Sequence, residues 1–521
     1  MNRDAAGELR KHALISGFAI GTRFLNAEQA NPRYTSTRSW QSEGVSNVGQ
    51  GYQQGFYSME QEVALSDLPV IGVVPHWLHG TLLRNGPAKF EAGQQQLRHW
   101  FDGLAMLHKF SFADGRVSYA NKFVASPQYQ AVREQDKLAY PEFATDPCRS
   151  IFKRVTTLFT PEFGHNTSVN ISTIADRFVA WTETPIPIEF DPETLETLGL
   201  FHFNDQLKLM TSTPHPHAEP CTGDMLNNSV AFGKTSNYHL YRIAQGTQER
   251  QLIASLPTSE PAYMHSFAVT EHYIVLAEYP LVVSPLTMLL SGASFAENLR
   301  WKPERGTTFH VIRIADGVVI RSYQADPFFC FHHVNAFERN DEIVVDLLAY
   351  ADASIVERLY LNVLRARHED HTPVPGAELR RYHLPLQAAT ATFEGLVDKR
   401  IELPRINYQR CHARPYRYVY GDGLNKERPF EFLNQLVKID VEQRTVQVWH
   451  EPGCFPGEPV FVAAPDAQAE DDGLLLSVVL DADANQSFVL LLDARGLSEV
   501  ARAVVPHCIP FGFHGQFYAR Q

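Results

Sequence analysis

The chain has 521 residues, 44% of them apolar and 20% charged, the balance of a folded protein with a large core. A formal net charge of −13 and the lack of a basic stripe exclude nucleic acid as a partner, because phosphate binding needs clustered cations. Six cysteines without a Cys-x-x-Cys pair or regular spacing argue against a disulfide framework or a thiolate zinc site, and a reducing compartment is the default.

Residues 1–58 are polar and Gly/Ser-bearing with little periodicity, and read as an N-terminal extension that is partly disordered or wraps the surface. Within them Arg10-Lys11 precede the apolar stretch from Ala13 to Gly21. Arg23 follows directly and no small-residue cleavage site is visible, so a signal peptide is not expected.

From residue 59 to 521 one pattern recurs: a β-rich run, a tight turn bearing Asp or Gly, then a second β-rich run. Its copies lie around Asp114-Gly115, Asp191, Asp316-Gly317, Asp440 and Asp493. Asp favours such turns by bonding its own following backbone, and Gly supplies positive φ. The spacing suits propeller blades with insertions, although other all-β sandwiches show similar hairpins.

Two segments suggest a lipid surface. Residues 279–296 carry no charge but contain Pro280, Pro285 and Gly292, so they read as a buried core segment or an apolar patch dipping into one leaflet. Residues 148–159 have a helical apolar stripe flanked by basic residues, which suits a surface helix packed on the core or a basic amphipathic element at a membrane.

Four histidines stand in aromatic or proline-marked contexts: His215 in Pro-His-Pro-His, His265 in Met-His-Ser-Phe, His332 in Phe-His-His-Val-Asn, and His514 in Phe-His-Gly. They meet only if the fold returns repeatedly to one axis. Four imidazoles at one centre suit iron, zinc, copper or nickel, with closed zinc structural and open iron redox-active. Neutral ligands leave the metal charge to carboxylates that accept the outer ring N–H groups. Glu183, Glu402 and Glu458, all in apolar surroundings, are the candidates. The chain has 22 histidines, most of them ordinary, and position alone does not select these four.

The stretch Gly80-Thr81-Leu82-Leu83-Arg84-Asn85-Gly86-Pro87, with His99-Trp100-Phe101-Asp102-Gly103 after it, closely resembles the opening signature of the carotenoid cleavage oxygenases. Met264-His265-Ser266-Phe267, Phe331-His332-His333-Val334-Asn335, Glu458-Pro459-Val460-Phe461-Val462 with Glu470-Asp471-Asp472-Gly473, and Phe513-His514-Gly515 resemble the later signatures in the same order. The resemblance covers residues 59–521. It implies an all-β fold, a seven-bladed β-propeller with a cap of loops and helices over a non-haem Fe(2+) on its axis. Carried over, the ligands are His215, His265, His332 and His514, the first histidine being taken in both His215-Pro216-His217 and His332-His333. Glu183, Glu402 and Glu458 are the supporting carboxylates.

Such enzymes use O2 to split a conjugated C=C bond held in a dry apolar tunnel. The resemblance therefore implies a carotenoid or apocarotenoid substrate, retinal-type aldehyde products, and a cytoplasmic protein resting peripherally on a membrane through 279–296 and 148–159. Thr145-Asp146-Pro147-Cys148 is similar to the Pro-Asp-Pro-Cys motif of the animal oxygenases and the retinoid isomerohydrolase. A retinoid isomerohydrolase acting on retinyl esters is thus the alternative. Stilbene cleavage is a third reading, disfavoured by Thr182, a tunnel residue at the place where stilbene-cleaving relatives carry lysine. A metal-stabilised propeller that binds lipid without turnover is the rival from outside enzymology.

Overall fold

The computed structural model describes residues 51–147, 163–366 and 373–520. All five turns read in the sequence join antiparallel neighbours, each in a different sheet or sheet half. Leu104–Ala113 and Arg116–Phe123 pair to the very end, Ala113 opposite Arg116. Asp114 and Gly115 between them both take positive φ, 52° and 77°, the geometry of the two-residue turn whose twist matches a hairpin. The turns after Asp191, Asp440 and Asp493 are wider. There the Asp carboxylate accepts the N–H of one or both of the residues two and three positions on, and a left-handed residue (Leu195, Arg444 or Leu497) leads into the next strand.

The chain is mostly β, with strands gathered into sheets of four to seven and two short ribbons. The seven-stranded sheet turns on one long strand, Thr392–Arg405. Its first part pairs with Glu378–Pro385 and its last residues with Tyr418–Gly423, so the sheet divides into two halves that share this strand. Edge strands of successive sheets abut one another. Ala268–Val269 lies against His333–Arg339, that strand against Thr392–Arg405, and Gly515–Ala519 against both Val460–Ala463 and Asn170–Ile174. An early strand and the last strand share one sheet, Gly80–Lys89 pairing with Gly515–Ala519 from Gly80 opposite Ala519 to Arg84 opposite Gly515.

Part of the stretch expected to be an extension is described as structure. Gly51–Phe56 is a short 3-10 helix whose Tyr52 and Phe56 are buried against Phe432, Phe455, Trp100 and Phe511. Gly55 permits this approach, since a Cβ there would stand 2.3 Å from the Phe511 ring. Two aromatics among Gly and Gln carry too little periodicity to announce a core element. The uncharged 279–296 segment is partly buried core and partly exposed apolar surface. Leu281–Val283 is a buried strand, whereas the helix Pro285–Ser291 leaves Leu286 and Leu290 65% and 75% exposed. Residues 148–159 lie outside the described residues, and among the described residues no helix is long and apolar enough to cross a membrane.

Candidate metal centre

The four predicted histidines occupy equivalent places in four sheets. His215, His265, His332 and His514 each fall one to three residues before an edge strand, at His217–Ala218, Ala268–Val269, His333–Arg339 and Gly515–Ala519. The structure brings all four together, with their ligand nitrogens within 4.8 Å of one another. Nε2 of His215 stands 3.0 Å from Nε2 of His265, and Nε2 of His332 stands 3.2 Å from Nε2 of His514.

Three rings are fixed from behind by the three predicted carboxylates. Nδ1–H of His265 donates to Glu183 at 2.7 Å, of His332 to Glu402 at 2.6 Å, and of His514 to Glu458 at 2.8 Å. With Nδ1 carrying the proton, each Nε2 lone pair points inward, the tautomer a metal needs. His215 alone has no such carboxylate among the described residues. Burial, reinforced by repulsion from the other rings, keeps His215 well below the usual imidazole range. Burial also lowers His265 despite Glu183, and pulls His514 down to about 4 despite Glu458. Neutral imidazoles are the ligand form.

The carboxylates are themselves braced by residues that the sequence did not single out. Tyr263 donates to Glu183 at 2.8 Å and Tyr350 to Glu402 at 2.7 Å. Glu458 is fully buried; Arg84 bonds it at 2.7 Å and Arg405 lies 3.5 Å away. Burial would raise Glu458, but Arg405, His514 and Arg84 outweigh it and hold the carboxyl at about 2. A signal for Arg84 existed, because a cation inside an apolar strand demands a buried anion. Nothing local marks Tyr350.

The backbone at each ligand is also held by a side chain from another edge segment. Asn170 donates to the carbonyl of Pro214, Thr213 to that of His265, Ser266 to that of Phe331, and Arg84 to that of Phe513. Each carbonyl belongs to a ligand or to the residue before it, so ring position and sheet position are set together. The neighbouring histidines point elsewhere. His217 bonds Tyr408 and the Phe267 carbonyl, and His333 bonds Ser266.

A cavity of about 980 Å³ reaches His265, His332 and His514, with Thr182 and Glu183 in its wall. Trp100, Phe101, Phe163, Phe331, Phe432 and Phe513 make much of its surface, and Leu286 and Met288 line it where Leu286 is open to solvent. The donor set fits a borderline divalent metal. All donors are nitrogen, three are oriented by carboxylates, and one side faces the cavity.

The family described as RPE65, retinal pigment epithelial membrane protein, matches residues 56–519. A carotenoid isomerooxygenase of Galleria mellonella is 34% identical over 484 residues, covering 87% of this chain and 93% of its own. A mitochondrial carotenoid-cleaving dioxygenase of Mustela putorius furo is 33% identical over 520 residues, covering 88% and 95%. Among solved structures, cobalt-substituted Synechocystis ACO superposes with a TM-score of 0.80 at 27% identity, over 90% of this chain and 98% of that one.

Proposed function

The chain belongs to the RPE65 family of carotenoid oxygenases, and from that premise we propose that it is an iron(II)-dependent oxygenase cleaving a conjugated C=C bond of a carotenoid or apocarotenoid with O2 to give two aldehydes. One observation carries the proposal: four inward-facing imidazole nitrogens where an apolar cavity ends. The abutting edge strands, with the seven-stranded sheet counted as two, support a seven-bladed propeller whose axis holds these rings.

Iron(II), when bound, supplies the redox chemistry by which O2 attacks a polyene. The protein supplies the rest. His215, His265, His332 and His514 hold the ion, while Glu183, Glu402 and Glu458 orient three of them and offset its charge. The aromatic wall excludes water and keeps the polyene extended. Phe331, 5.6 Å from the His265 ring by centroids, and Phe513, next to His514 in the chain, limit how far it slides past the metal. Thr182 presents a small hydroxyl there and no cation. Leu286 at the cavity wall and Leu290 on the same helix are exposed apolar residues, suited to peripheral contact with the membrane in which such substrates dissolve, on its cytoplasmic side.

Purified, iron-loaded protein incubated with β-carotene, an apocarotenal, a retinyl ester and a hydroxystilbene, each with and without O2, tests the proposal. Polyene-derived aldehydes formed only with O2 are expected, and their lengths name the bond. Isomerised retinol formed without O2 would replace the oxygenase by an isomerohydrolase.

A further inference from the structure

Glu142 lies in the cavity wall between Pro141 and Phe143, yet the metal chemistry has no use for it. Its bonding is lopsided. Oε1 accepts from Gln128 Nε2 at 2.8 Å. Gln128 cannot be turned round, because its own Oε1 accepts the N–H groups of Ala139 and Tyr140 and its Nε2 also donates to the Tyr140 carbonyl. Oε2 has only Asn166 Nδ2, 3.5 Å away. Both hydrogens of that amide are already committed, to the carbonyls of Asp102 at 3.1 Å and Gly103 at 2.9 Å. Among the described residues, one oxygen of Glu142 is therefore without a donor of its own.

A carboxylate in that position would be poorly solvated, and a second buried acid, Asp102, lies near it. Asp102 accepts from the backbone N–H groups of His99 and Ala144 and from Thr145, so its oxygens are supplied with donors. Glu142 is not, and burial followed by repulsion from Asp102 pushes it well above the usual carboxyl range. The proton belongs on Oε2, since Oε1 faces a fixed donor. No described group accepts it, and Glu142 is part of the cavity lining.

The second polar group stands beside it, across Gly164. Nδ1–H of His165 donates to the Ile186 carbonyl at 3.0 Å, with Thr184 Oγ1 at 3.1 Å. Burial pulls this ring down to about 4, so it is neutral and Nε2 is a bare acceptor. His165 lines the same cavity and is held at φ 45°, a conformation rare for a side chain of this bulk. A Cβ on Gly164 would stand 3.4 Å from Glu142 Oε1 and 3.0 Å from Gln128 Cβ, so the glycine keeps this corner narrow.

We propose that Glu142 and His165 form a subsite for an oxygen-bearing end group of the polyene, Glu142 Oε2–H donating to its oxygen and His165 Nε2 accepting from it when that oxygen is a hydroxyl. The proposal rests on the polyene reading of the cavity. It assigns a hydroxylated carotenoid or apocarotenoid as the preferred substrate class, a hydrocarbon end leaving both groups unanswered.

The test compares the iron-loaded full chain with its Glu142→Leu and Glu142→Gln variants on two substrates, β-carotene and its 3,3′-dihydroxy counterpart. Wild type should favour the hydroxylated polyene. Glu142→Leu should lower kcat/KM for it by about tenfold to a hundredfold, chiefly through KM, without a matching loss on β-carotene. Glu142→Gln, which retains a neutral donor, should recover most of the loss. Equal losses on both substrates, or a wild type indifferent to the hydroxyls, would overturn the subsite. Binding of both polyenes, followed by quenching of tryptophan fluorescence, reads the same preference without turnover. If wild type cleaves neither substrate, the oxygenase reading fails, and the subsite still stands or falls on the Kd ratio and its loss in Glu142→Leu.

Discussion

The metal end of the cavity and the wall beyond it are built on opposite rules. At the metal end each carboxylate that holds a ring has its own donor: Tyr263 for Glu183, Tyr350 for Glu402, Arg84 for Glu458. The ligand backbones are gripped from other segments as well. The wall carries many aromatic rings, and its polar atoms at Glu142 and His165 are left with bonding capacity to spare. Geometry that must not vary is over-determined, and recognition that must meet a ligand is left incomplete.

The sharpest way to break this contrast is to remove a ligand. His332→Ala should abolish stoichiometric iron binding and bring cleavage to background, while circular dichroism shows the sheets retained; metal analysis of the purified variant checks it. Glu458→Gln comes next. It strips the charge partner from buried Arg84 and Arg405 and costs about 3–5 kcal/mol of stability. Iron affinity should fall by about 10–100-fold, read by competition with a chelator.

A smaller effect sits beside the cavity wall. Burial holds His99 at about 3, against an ordinary 6.5, with its Nε2 bonded to the Val356 carbonyl. Between those values the unfolded chain takes up a proton that the fold refuses, so stability falls as pH drops below 6.5. From pH 7 to pH 5 this one ring should account for about 2 kcal/mol. Urea midpoints should show a shallower pH slope in His99→Gln than in wild type.

Ser266→Ala should have the mildest consequence, about 1 kcal/mol of stability. If its bond to the Phe331 carbonyl positions His332, the d–d bands of the cobalt(II)-substituted protein should shift. An unchanged spectrum would reduce Ser266 to ordinary packing.

Much of this was legible beforehand, for uneven reasons. The hairpins were read from local chemistry, because an Asp or Gly turn announces itself within a few residues. The four histidines were not: only ordered motifs separated His215 from His217 and His332 from His333. What divides each pair is a partner far along the chain, Tyr408 for His217 and Ser266 for His333. Arg405, Tyr350 and Glu142 escaped for the same reason, since their roles depend on sheets that meet only in three dimensions. The buried helix Gly51–Phe56 escaped because two aromatics in a Gly/Gln stretch give no period to follow.

The pairing of Gly80–Lys89 with Gly515–Ala519 has a consequence for the order of events in synthesis. His514 enters the site with the strand that closes the sheet. A growing chain displays His215, His265 and His332, with Glu183 and Glu402, before it owns His514 or the carboxylate of that ring, Glu458, which pairs with Arg84 on Gly80–Lys89. A metal held by all four rings therefore requires that Gly80–Lys89 and Gly515–Ala519 have already paired, which ties metal loading to closure of that sheet.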